Sequence, residues 1–123
     1  MSTLVTSNIS DGTTSVGTGY VVNGSAKAWV NFNGTGTIAI RDSLNAASLI
    51  DRNTGDYEIN YTSAMSNTSY GSSTEAGGAN NDYAITSVQD VYTAANVGVQ
   101  CRNISGIITD YVIVCVAIHG DLA

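Results

Sequence analysis

The chain has no proline and only one histidine, one tryptophan, one phenylalanine and two cysteines in 123 residues. Charge is sparse as well. Lys plus Arg number four and Asp plus Glu ten, so charged residues make up 11%, about half the usual ~25%. Four scattered cations cannot neutralise a run of phosphates, which excludes nucleic acid as a partner. The same shortage, with a net charge of −6, excludes an anionic membrane surface. No apolar run approaches the ~20 residues a bilayer span requires, so no membrane insertion is expected. The opening residues Met1-Ser2-Thr3-Leu4-Val5-Thr6 are neither basic nor continuously apolar, and no signal peptide is expected. That points to a cytosolic origin, with Cys101 and Cys115 as thiols. Two cysteines without Cys-x-x-Cys spacing and the single His119 are too few for a zinc site. No metal and no cofactor is expected.

What fills the chain instead is small and polar. Ser, Thr, Asn and Gly account for 53 of the 123 residues, so hydroxyls and amides cover the surface that Lys and Glu usually cover. The hydrophobic fraction of 43%, with seven Tyr, still supplies core material that disordered chains lack. At this length one domain can bury enough surface to fold without metal or disulfide.

The apolar segments are short and evenly spaced, as in all-β proteins. In residues 27–32, Ala28, Val30 and Phe32 share one face and Trp29 the other. Asn33-Gly34-Thr35-Gly36 follows, which predicts a tight primed hairpin turn. It leads into a return strand over 37–41 with Ile38 and Ile40 on one face. A strand is expected near 48–51, and Asn53-Thr54-Gly55-Asp56 turns into the clean alternation of Tyr57, Ile59 and Tyr61. Residues 66–82 read as a long loop or as weak strands with polar faces. Residues 84–92 fit either a helical stripe or a strand, and composition favours strand. Segments 97–101 and 111–118 close the chain as two more strands, expected to pair as a hairpin with Cys101 opposite about Val112. The last is apolar on both faces, which places it between layers or against a partner subunit. The first 25 residues lack bulk and read as an arm. The expected fold is a small antiparallel β-sandwich or jelly-roll-like domain of about seven to nine strands over 26–123.

Candidate chemistry is thin. Residues 51–56 begin like a calcium loop, but the places where an EF-hand needs Gly and Glu hold Asp56 and Thr62. A β-turn is the better reading. Asp56 and Glu58 stand two apart on one strand face, as a glycosidase pair could, yet polar-out alternation explains them equally. His119 reads as a surface residue. Six Asn-x-Ser/Thr sequons reflect the abundance of Ser and Thr. Trp29 is open to three readings: a second packed layer, a subunit interface, or a platform for a sugar ring.

The stretch Lys27-Ala28-Trp29-Val30-Asn31-Phe32-Asn33-Gly34-Thr35-Gly36-Thr37 continues through 40–45 and Thr54-Gly55-Asp56-Tyr57-Glu58-Ile59-Asn60-Tyr61-Thr62 to the closing segment 110–120. This series resembles a recurrent domain at or near the C-terminus of tail-fibre and other virion surface proteins, especially of marine bacteriophages. The resemblance covers roughly 27–120. It implies a structural, adhesive protein of the virion surface with no enzymatic residues, commonly assembled as a homotrimer. Expected partners are other copies of the chain, other virion proteins and a host-surface glycan or receptor. Trp29, Tyr70, Tyr83, Tyr111 and Ile113 are the candidate residues for oligomer or receptor contact. In such proteins a long shaft usually precedes the domain. About 25 residues do so here, which keeps a capsid decoration or head-fibre protein as an alternative. A soluble carbohydrate-binding module is the other.

Overall fold

The computed structural model describes residues 1–78 and 83–123. The expected all-β sandwich is what it contains. Eight strands form two four-stranded antiparallel sheets: β3 (Ala26–Asn33), β4 (Ala39–Leu44), β5 (Ala46–Asn53), β6 (Asp56–Tyr61), β7 (Gly71–Gly77), β8 (Ala84–Tyr92), β9 (Asn96–Asn103) and β10 (Ile113–His119). One sheet has the order β4-β3-β10-β7 and the other β5-β6-β9-β8. Each strand turns alternate side chains to opposite faces, and the apolar set goes between the layers. Ala28, Val30 and Phe32 meet Tyr57, Ile59, Tyr61, Val97 and Val99 there, with Val114, Val116 and Ile118 from β10. Phe32 packs edge-on to Tyr57 with centroids 5.1 Å apart. Thr74 and Thr86 close one side by hydrogen-bonding β7 to β8, Oγ1 to Oγ1 at 2.8 Å.

Residues 84–92 form strand β8, and the polar segment 71–77 forms strand β7. The part of the expected 66–82 loop that falls on 79–82 lies outside the described residues. Three expectations need correction. The hairpin after β3 is not a two-residue primed turn but a loop spanning 34–38, with only Gly36 at positive φ. Gly34 causes this, because it is pinned to the core. Its N–H donates to the Tyr111 carbonyl at 2.9 Å, and its own carbonyl accepts from the Tyr57 hydroxyl at 2.7 Å. The return strand therefore starts only at Ala39, and Ile40 is 38% exposed. The final two strands do not pair: β9 and β10 belong to different sheets. Cys101 is buried in the interior, whereas Cys115 lies opposite Asn31 and Glu75 on the outer face of its sheet. Both are free thiols. Burial pushes the Cys101 thiol up to about 12, with the Asp110 charge adding to it.

Residues 1–25 carry a small hairpin, β1 (Asn8–Ser10) with β2 (Ser15–Gly17), and the seven-residue α1 (Thr18–Gly24). Local patterning alone did not foresee these elements. None of their large apolar side chains is buried in the sandwich core. The arm enters β3 at Ala26, at the end of the sandwich where Asn45 ties Lys27 to Ser63 through its side-chain amide. The loops at 34–38, 53–55 and 104–112 lie at the opposite end.

Candidate functional site: the apolar end and the Trp29 face

The end opposite the arm carries an unusual load of exposed apolar side chains. Ile104 is 72% exposed, Tyr83 71% and Ile107 62%, and Ile85, Ile108, Val112 and Ile113 are all above a third. Backbone pairing brings them to one end. Ile113 pairs with Gly77, which bridges to Tyr83, while Ile85 pairs with Arg102, which bridges to Ile108. The loop that carries three of the isoleucines is pinned. Asn103 Oδ1 accepts the N–H of Ser105 and of Ile107, both at 3.0 Å. Arg102 donates to the Gly106 carbonyl at 2.9 Å, and Gly106 takes the positive φ that the turn demands. These isoleucines are thus held out in water by hydrogen bonds. Exposed apolar groups gathered in this way mark contact surfaces.

Of the five residues singled out in the sequence, Tyr83 and Ile113 belong to this end. Trp29 lies on the outer face of the β4-β3-β10-β7 sheet, half-buried, opposite Ala117 and Leu44. No second layer covers it among the described residues. Tyr70 and Tyr111 are corrections, being core residues only 6% and 3% exposed. Tyr70 stacks on Tyr92 with centroids 4.4 Å apart and donates to the Thr93 carbonyl at 2.8 Å. Tyr111 donates to the Tyr83 carbonyl at 3.0 Å. Their hydroxyls find backbone partners, so the rings can be buried. Ile104, Ile107 and Ile108 were missed in the sequence. The signal was there: three isoleucines in a Ser-Gly turn that no strand pattern buries.

The Trp29 face is also built from cross-strand rows. Trp29, Ala117 and Ser73 form one row across β3, β10 and β7, and Asn31, Cys115 and Glu75 the next. Small side chains in the middle of both rows leave an open depression of about 340 Å³ beside the indole. Arg41 holds Asn31 at its rim, donating to Asn31 Oδ1 at 3.0 Å and to the Val112 carbonyl at 2.5 Å.

The paired acids Asp56 and Glu58 stand on the outer face of the other sheet. Glu58 accepts the Asn96 side-chain amide at 2.9 Å. Asp56 lies directly opposite Gln100, and each buries one oxygen that has no hydrogen-bond donor among the described residues. Burial raises the Asp56 carboxyl above its ordinary value, with Asp90 and Glu58 adding to it and Arg52 opposing it. A raised pKa means that the folded state holds the proton more tightly than the unfolded one. Stability from this group is therefore full below the unfolded value of 3.8 and is lost as pH rises through the folded value. Asp56→Asn should thus raise the urea midpoint at pH 7, helped by an amide donor to Gln100 worth about 1 kcal/mol. The gain should narrow at pH 3. Urea titrations of both proteins at the two pH values check this, and a lower midpoint for the variant at pH 7 would contradict it.

Among the described residues, no group of three or more His, Cys, Asp or Glu side chains is placed to hold a metal ion. No helix is long and apolar enough to cross a membrane. No family model, curated protein or solved structure matches the chain.

Proposed function

We propose that this chain is a non-enzymatic structural protein of a bacteriophage virion surface, a homotrimeric fibre-tip module that contacts a host receptor. The observation that carries the proposal is that exposed apolar side chains gather at two extremes, on the arm and at the opposite end of the sandwich. One end continues into an exposed arm suited to attachment, and the other presents pinned, exposed isoleucines suited to burial against further copies. The motif resemblance around Trp29 and Tyr57 supplies the virion setting. The composition fits it too. A surface of hydroxyls and amides with few charges lets copies approach without strong repulsion, while low cation content keeps the chain off nucleic acid in an infected cell.

In this reading the apolar end joins the copies, and the outer sheet face is left for the receptor. Light scattering at micromolar concentration should give a mass near three times 12.7 kDa. The double variant Ile104→Asp with Ile107→Asp should run as a folded monomer. Both side chains are mostly in water already, so the loss of monomer stability should stay within about 0.5 kcal/mol. A monomeric wild-type chain would contradict the proposal, as would an oligomer indifferent to both substitutions.

A further inference from the structure

We infer that the depression beside Trp29 is a binding site for a neutral pyranose of a saccharide, which stacks on the indole and is held at its rim by Asn31, Ser73 and Glu75. This deepens the receptor role proposed above by naming the ligand class of the outer sheet face. The geometry is that of a sugar subsite. The depression holds about 340 Å³, at the lower end of the volumes of small-molecule sites. Its floor is the short side chains Cys115 and Ala117 of the central strand β10, and its wall is Trp29. A flat apolar wall next to a shallow floor suits the CH face of a pyranose ring.

The rim supplies the polar half of the match. Asn31 and Glu75 sit on either side of Cys115 in one cross-strand row, so they are two strand spacings apart, about 10 Å. That distance spans a ring with its equatorial hydroxyls. Asn31 Oδ1 is already occupied by Arg41, which turns its amide nitrogen into the free donor. Glu75 is acceptor only, and Ser73 is both donor and acceptor. Neither Ser73 nor Glu75 has a side-chain hydrogen bond to any described residue. One donor, one acceptor and one hydroxyl around an aromatic wall match vicinal diols.

Other occupants fit less well. An added peptide strand needs a sheet edge, yet β3 and β10, which carry the indole and the floor, each have a paired strand on both sides. An anionic sugar would meet Glu75 and a net charge of −6, while the Arg41 guanidinium is already engaged by Asn31 Oδ1 and the Val112 carbonyl. A purely apolar ligand would leave the three rim groups desolvated and unpaired.

Trp29 is the sole tryptophan, so its emission reports on this site alone. The purified chain should be titrated with neutral oligosaccharides of glucose, galactose, mannose and N-acetylglucosamine, with sorbitol as an open-chain control. At least one oligosaccharide should shift or quench the emission saturably while sorbitol does not. Glu75→Gln, which keeps the reporter, should weaken that ligand several-fold. Trp29→Ala, followed by saturation-transfer NMR on the ligand, should weaken it at least about tenfold. The monomeric Ile104→Asp, Ile107→Asp variant should bind as the wild type does. Failure of trimerisation with saccharide binding intact would thus sink the assembly reading and leave this one standing. No saturable response to any of the four sugars, the same response to sorbitol, or full binding by Trp29→Ala would overturn it.

Discussion

Replacing Tyr57 by alanine should lower the unfolding free energy by about 3–5 kcal/mol, enough to remove a large part of the stability of a domain of this size. The ring is fully buried between the sheets against Phe32. Its hydroxyl joins three pieces of chain far apart in sequence. It lies 2.7 Å from the Gly34 carbonyl and 2.8 Å from Asp110 Oδ1, tying β6 to the loop after β3 and to the segment before β10. Tyr57→Phe keeps the ring and removes only that junction, so it should cost about 1–2 kcal/mol. Urea unfolding of the two variants separates packing from hydrogen bonding. Equal losses in both would show that the hydroxyl, not the ring, carries the effect.

A second large loss is expected at Gly55, for a different reason. Its φ is +61, and a Cβ built there would lie 2.7 Å from the Thr109 carbonyl and 2.8 Å from that of Cys101. Both obstacles are backbone. The Gly55 N–H also donates to Asp110 Oδ1 at 2.6 Å, and its carbonyl accepts from Cys101 N at 2.7 Å. Gly55→Ala must therefore strain φ and push two carbonyls aside at once. The expected cost is about 3 kcal/mol or more, combining overpacking with left-handed strain. Gly36, also at φ +61 but with open space around its α-carbon, should lose only about 1 kcal/mol on the same substitution. Thermal unfolding of the pair distinguishes the two contributions, and similar losses at both positions would refute the steric account.

The corner formed by Gly34, Gly55, Tyr57 and Asp110 also explains what could be read from the sequence. Alternation in 57–61 placed Tyr57, Ile59 and Tyr61 inward because β-strand periodicity is local, and the structure buries all three. The same local rule placed Ala28, Val30 and Phe32 inward and put Trp29 on the opposite face. Long-range pairing leaves no such trace. Nothing in 96–119 signals that β9 and β10 go to different sheets, so the assumed final hairpin was wrong. Tyr70 and Tyr111 were misplaced because tyrosine is ambiguous by itself. With one Phe in the chain, tyrosine serves as core aromatic, and at Tyr57, Tyr70 and Tyr111 a backbone carbonyl receives its hydroxyl. The isoleucines of the 104–108 turn leave no periodic signal, because a Ser-Gly turn has no strand alternation to show which side chains stay in water.

We propose that this sandwich is a surface component of a virion, joined to it through the arm. The most direct test is to locate the chain on intact particles by cryo-electron microscopy, with peptide mapping of the same purified preparation. The account predicts density of the sandwich at the end of a tail appendage, three copies together, with the 104–112 loops at the contact between copies and the Trp29 faces open to solvent. Regular density across the capsid shell would contradict the fibre-tip role, and absence of the chain from purified particles would contradict the virion assignment altogether.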